Sequence, residues 1–292
     1  MRAAARVRPD DLPSSADFLK IGDLSSEFNW LPGLAGVDVV VHTAARVHVM
    51  RDAASDPMLA FRAMNVQATL NLARQAAGAG VHRFVFLSSI KVNGESTKEN
   101  QAFTADDIPA PMDFYGISKL EAEQGLHEIA LQTGMQIVII RPPLVYGPGV
   151  KANFQEMMRW LSFGIPLPFG AVQKNHRSLV ALDNLVDLIR VCTQHPDAAN
   201  QIFLVSDGED LSTTALLRRL AYAMGKSACL VPVPPLVLRW VAAVAGKKAV
   251  AMRLCESLQL DISKTRRLLG WKPVVNTDTG LQLTADYFNS MH

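Results

Sequence analysis

An α/β fold with a doubly wound parallel sheet is predicted by two observations. Apolar, β-branched runs at 37–42, 84–87 and 136–140 alternate with helix-period segments at 61–79 and after Tyr115, the rhythm of βαβ units. Each run also ends in small, hydroxylated or proline residues: Ala44-Ala45, Ser88-Ser89 and Pro142-Pro143. Right-handed crossovers would bring all three ends to one sheet edge, where ligands bind in such folds.

Taken in order, residues 3–7 are short and apolar and read as a strand, and Gly22-Asp23-Leu24 follows a second apolar pair. Residues 37–42 are continuous rather than alternating, which predicts a buried strand. The helix at 61–79 carries Met64, Leu70, Leu72 and Ala76 and is ended by Gly78 and Gly80. The Tyr115 helix runs to about Gln132, stopped by Gly134, and Arg141-Pro142-Pro143 closes the next strand. From Tyr146-Gly147-Pro148-Gly149 to Asn175 the rhythm is lost, which predicts a ligand-facing excursion with a helix at 154–163. Residues 178–182, a helix at 184–192 and a strand at 201–205 return to the main domain. Helices follow at 213–224, capped by Ser212, and at 262–269, ended by Gly270. The apolar run 231–245 is too short and too interrupted to span a bilayer, so it is expected to form a buried or groove-lining helix.

At 292 residues, nearly half of them apolar, the chain can bury a large core, and its formal charge of +2 without blocks of like charge argues against nucleic acid. Cys192, Cys229 and Cys255 are odd in number and widely spaced, which predicts neither disulfides nor zinc and fits a reduced, cytoplasmic setting. His42, His48 and His176 are too scattered for a metal site, and no apolar region of a signal peptide follows Met1-Arg2.

The chemistry lies between Ser89 and Lys119. Tyr115 and Lys119 are four apart and share a helix face. A phenol is a poor base at neutral pH, and a nearby cation lowers its pKa, so Lys119 is expected to activate Tyr115. Ser89, at a strand's carboxyl end, can hold the same substrate oxygen while Tyr115 moves the proton.

Together with Gly22-Asp23-Leu24, His42-Thr43-Ala44-Ala45, Asn65-Val66 with Thr69, Arg141-Pro142 to Gly149, and Leu269-Gly270-Trp271-Lys272-Pro273, these residues resemble the extended short-chain dehydrogenase/reductase family of nucleotide-sugar epimerases, dehydratases and 4-ketoreductases. The resemblance implies a dinucleotide-binding domain at 1–145 and 176–209 and a substrate-binding region at 146–175 and 210–292. It makes Ser89, Tyr115 and Lys119 catalytic and NAD or NADP the cofactor. It also places Asp23 and Leu24 at the adenine, Ala44, Ala45 and Ser88 along the cofactor, Pro142 and Val145 near the nicotinamide, and Asn65 as a support of the cleft. Tyr115 and Lys119 also face the cofactor, Lys119 through the nicotinamide ribose. The family's opening strand and G-x-x-G-x-x-G turn are not found before Asp23, so these residues alone are expected to bind dinucleotide weakly.

In the family's dehydratases an Asp-Glu pair follows the active hydroxyl; here Ile90 and Lys91 stand there, which disfavours dehydration. Arg6 could accept a 2′-phosphate, pointing to NADP and to net reduction. The stretches 46–50 and 88–94 look most like UDP-N-acetylhexosamine 4-ketoreductases of surface polysaccharide biosynthesis, with a UDP-sugar 4-epimerase or a non-enzymatic binding homologue as alternatives. For the UDP half the candidates are Asn153, Phe154, Pro166, Leu167, Pro168, Phe169, Arg177 and Arg253, aromatic groups for uracil and arginines for diphosphate. The expected partner is thus a UDP-sugar, without stable membrane insertion, and a homodimer is compatible with the chain.

Overall fold

β-Branched and aromatic residues set the central strands, and their cover decides how deeply each is buried. The structure, a computed structural model, describes residues 1–47, 56–99, 101–244, 246 and 248–291; His48, Met50 and their neighbours in the 46–50 stretch lie outside the described residues. The chain forms two compact units, one of 1–92, 111–140 and 192–201, the other of 93–110, 141–191 and 202–292.

In the first unit, β1 (Arg2–Ala5) pairs in parallel with β2 (Asp17–Lys20), and a short helix α1 (Leu31–Leu34) follows. β3 (Val39–His42) pairs in parallel with β4 (Arg83–Leu87), and β4 with β5 (Gln136–Arg141). β4 and β5 are buried along almost their whole length, as their apolar runs predict. β3 is not: Val39 and Val40 are half-buried and Val41 is exposed. It is an edge strand, paired with β4 on one side only, and its far side lines a cavity shared with Ala4 and Leu19 of β1 and β2.

The segment predicted as one helix at 61–79 is three pieces: α2 (Pro57–Phe61), a π-helical turn over Arg62–Gln67, and α3 (Ala68–Gly78). α4 (Phe114–Thr133) starts at the N-cap Asp113 and ends at Gly134, whose φ of +74° is the left-handed conformation glycine adopts without penalty.

The second unit contains β6 (Leu144–Tyr146), α5 (Ala152–Ser162), β7 (Arg177–Ala181), α6 (Leu182–Gln194), β8 (Ile202–Leu204) and β9 (Asp210–Leu211). α7 (Thr213–Ala223), α8 (Pro235–Val244), α9 (Lys248–Cys255), α10 (Ser263–Leu269) and α11 (Thr277–Ser290) complete it. β6 runs parallel to β7, and β9 antiparallel to it. Ser212 caps α7 as expected, accepting from the Ala215 amide at 3.1 Å. Its core joins Phe154, Met158 and Leu161 of α5 to Leu217 and Leu220 of α7 and Leu281 and Phe288 of α11. Tyr146 stacks on Phe154 and donates to Asp207 at 2.7 Å, while Asn184 and the Ala181 amide donate to the same carboxylate.

Of the expectation of a buried or groove-lining helix at 231–245, the buried alternative is corrected. α8 has no buried residue, and its apolar side faces outward. Apolar composition alone predicted burial there, but α8 packs on α9 through its less apolar side and leaves the stripe exposed. No helix among the described residues is long and apolar enough to cross a membrane.

Candidate active site

The site of the first unit is organised by the start of α4. Asp113 accepts from the Gly116 amide at 2.7 Å, capping the helix, and its other oxygen pairs with the Lys91 ammonium. A Cβ on Gly116 would lie 2.8 Å from the Lys91 carbonyl oxygen, so glycine permits the close approach of helix and loop. This clamp sets the Tyr115 phenol within the influence of the Ser89 hydroxyl.

Lys119, one turn on, is fully buried; its Nζ donates to the Leu87 carbonyl at 2.7 Å and sits 4.3 Å from the centre of the Phe86 ring. Burial lowers its pKa to about 7 against the opposing charge of Glu123. Burial, reinforced by the Asp113 charge, pushes the Tyr115 phenol up to about 12, and the Ser89 hydrogen bond pulls the other way. The expectation that Lys119 lowers the Tyr115 pKa is therefore corrected: desolvation wins, and the ammonium is turned to Leu87 and Phe86.

Support for these groups is buried too. Ser88, expected along the cofactor, directs its hydroxyl inward to Glu123 at 2.5 Å. Glu123 follows Lys119 by four residues, and Asp113 precedes Gly116 by three. Neither was singled out from sequence, although the i,i+4 spacing and the capping pattern mark both. Asn65, 1 % exposed in the π-helical turn, accepts from the Arg46 amide at 2.7 Å and donates to the Arg46 carbonyl and the Ser118 hydroxyl. Ser118 in turn donates to the Tyr115 carbonyl, so Asn65 ties the loop after β3 to the catalytic turn. His42 contacts Thr69 at 3.0 Å and stacks on Phe86.

At the expected adenine end, Arg6 and Asp23 are exposed and pair with each other at 3.2 Å. Leu24, Thr43 and Ala44 line the cavity beside β3, about 170 Å³ in volume, and Ala45 is half-buried next to it. The Trp30 indole N–H, buried on the same cavity, has no hydrogen-bond partner among the described residues. The cavity is lined by polar as well as apolar groups, among them Arg2 and Thr43 beside Leu19 and Val41. At the expected ribose and nicotinamide end Tyr115 is half-buried, whereas Lys119 is buried and donates to the Leu87 carbonyl; no G-x-x-G-x-x-G occurs in the 292 residues.

In the second unit, Arg177 donates to the Glu256 carbonyl at 3.1 Å, and its pKa is lowered by burial and then by the charge of Arg253. The two guanidinium groups predicted for diphosphate thus feel each other's charge, offset by Glu95 and Glu256. Asn153 is exposed, Pro168 and Val145 are half-buried, and Pro142 is buried. Phe169 is half-buried against the core. Phe154 is corrected: at 0 % exposure and stacked on Tyr146, it is core and out of a ligand's reach.

Residues 3–206 match the pattern of the "NAD dependent epimerase/dehydratase family". The chain belongs to this family. A "UDP-glucose 4-epimerase" of Vibrio cholerae is 49 % identical over 269 residues, covering 92 % of this chain and 82 % of that protein. An "N-acetyl-alpha-D-glucosaminyl-diphospho-ditrans,octacis-undecaprenol 4-epimerase" of Escherichia coli O157:H7 is 26 % identical, over 93 % of this chain and 83 % of that one. The solved UDP-glucose 4-epimerase of Thermotoga maritima superposes with a TM-score of 0.78 at 20 % identity, covering 99 % of this chain and 91 % of that one, which shows the fold. This epimerase/dehydratase chain is accordingly a Rossmann-like enzyme whose family cofactor is NAD.

Proposed function

We propose that this chain inverts C4 of a UDP-linked hexose or N-acetylhexosamine. The observation that carries this reading is the cluster of half-buried Ser89 and Tyr115 with buried Lys119, in a chain 49 % identical to a UDP-glucose 4-epimerase. NAD, when bound, supplies the acceptor and donor of the C4 hydride. Ser89 orients the C4 oxygen and Tyr115 exchanges its proton. With its pKa pushed up to about 12, Tyr115 is protonated at rest, ready to give a proton back to the sugar oxygen. Removing the sugar proton requires the phenolate, which a charged Lys119 favours; with a pKa of about 7, that ammonium is itself in balance near neutrality.

Epimerisation is favoured over net reduction by two points. The relative of highest identity reported above is named an epimerase, and Arg6, on which the NADP reading rested, is engaged with Asp23. Dehydration is disfavoured because Ile90 is buried and Lys91 is paired with Asp113. Arg177 and Arg253 are the candidates for the diphosphate.

The test incubates the purified protein and NAD with UDP-glucose, UDP-N-acetylglucosamine and, in view of the E. coli relative, polyprenyl-diphosphate-linked N-acetylglucosamine. The C4 epimers are resolved by NMR. Epimer formation without net NAD(P)H change is expected, and Tyr115→Phe should lower turnover by about 10²- to 10⁴-fold while UDP-sugar binding persists. Stoichiometric NADPH consumption by a 4-keto sugar, without epimerisation, would replace this reading with a ketoreductase.

A further inference from the structure

α8 is apolar on the side it presents to solvent. Leu236, Val237, Trp240, Val241 and Val244 recur at helical spacing as one stripe, and Leu236, Trp240 and Val244 are 78 %, 69 % and 73 % exposed. The positions that turn inward are the weaker ones, with Leu238 and Ala242 only half-buried, and α8 packs on α9. A helix on a solvated surface normally shows the reverse polarity, and an exposed stripe of this kind marks an interaction face.

The charge around the stripe identifies what covers it. Between Asp210 and Glu256 the sequence has no acidic residue, while Arg239 lies within α8 and Lys247-Lys248 follow the helix directly in sequence. Arg239 is exposed and flanks the stripe, its ion pair with Glu256 being loose at 3.7 Å. An apolar face carrying a tryptophan, within a stretch that is only basic, has the two attractions that hold a helix in the plane of an anionic bilayer surface: acyl burial and headgroup charge. A nucleic acid would use the charge but not the five apolar side chains. At ten residues, α8 is too short to cross, so contact along the surface is what its length allows.

We propose that α8 docks this protein on the surface of a bilayer containing anionic phospholipid. The helix lies flat, its Leu236-Trp240-Val244 edge entering the acyl boundary and Arg239 at the headgroups. Docking does not depend on which sugar the first unit processes.

The experiment sediments the full chain with sucrose-loaded vesicles of equal parts phosphatidylglycerol and phosphatidylcholine, and with phosphatidylcholine alone. Wild type should pellet with the anionic vesicles, and the bound fraction should fall as salt is raised. Leu236→Glu combined with Trp240→Glu should weaken the partition at least about tenfold, with an unchanged melting temperature. Leu236→Gln with Trp240→Gln repeats the comparison without adding negative charge, and covers the case in which the first pair fails to fold. Wild type remaining in the supernatant, or either folded variant pelleting like wild type, overturns the proposal. So does a concentration-dependent dimer that these variants abolish while wild type ignores vesicles, because the stripe is then covered by a second copy.

Discussion

His42 illustrates how burial converts a common residue into a pH liability. Desolvation, aided by the Lys119 charge, lowers its pKa from 6.5 to about 3. Between those two values the unfolded chain holds a proton that the folded chain does not, so stability falls as pH drops through the window and the loss is complete near pH 3. The full effect is on the order of 5 kcal/mol. His42→Gln, which keeps a polar contact for Thr69, should move the acid-unfolding midpoint to lower pH when followed by circular dichroism. An unmoved midpoint would assign acid lability to other groups. In sequence His42 was visible only as part of His-Thr-Ala-Ala, because burial depends on the packing of Phe86 and Thr69 from distant segments. Tyr115 and Lys119 were legible from their spacing, but the direction of the Tyr115 shift was not: it is decided by desolvation, which no spacing encodes.

At the level of elements, the clamp at the start of α4 gives Lys91 a positive role. From sequence it counted only as the lack of an acid; in the fold it joins the loop after β4 to the cap of α4. Gly116→Ala should cost about 1–3 kcal/mol by forcing the helix off the Lys91 carbonyl, and should lower turnover more than proportionately by displacing Tyr115 from Ser89. Asp113→Ala should cost about 1 kcal/mol for the cap alone. Urea denaturation gives the stabilities, and parity of the two variants in both stability and turnover would argue against the close approach at Gly116. The π-helical turn at Arg62–Gln67 could not be anticipated, since the apolar period there suits an uninterrupted α-helix. The turn forms where Asn65 points inward to the backbone of Arg46, a partner far along the chain, and such turns recur at functional sites.

Across the whole molecule, legibility followed the layer structure. β4, α4 and β5 were readable because covered strands and a capped helix write continuous and periodic patterns into sequence. The second unit was less so: its core is gathered from α5, α7 and α11, which lie more than a hundred residues apart at the extremes. Phe154 belongs to that core. Phe154→Ala should therefore cost about 3–5 kcal/mol in denaturant unfolding while leaving the UDP affinity of the remaining folded protein near wild type. A selective loss of UDP binding at unchanged stability would return Phe154 to the ligand.

The charge of Arg253 acting on the buried Arg177 guanidinium has a consequence for stability. Burial and the charge of Arg253 disfavour the charged Arg177 more than Glu95 and Glu256 favour it, and a bound dianion would offset that penalty. Nucleotide would then act as a missing structural part. At about 100 times its Kd, UDP should stabilise by about 2.7 kcal/mol and raise the melting temperature by roughly 5 °C. In Arg253→Met the ligand-free protein should melt higher than wild type and respond less to UDP. On this view the folded state is completed by its ligand's charge.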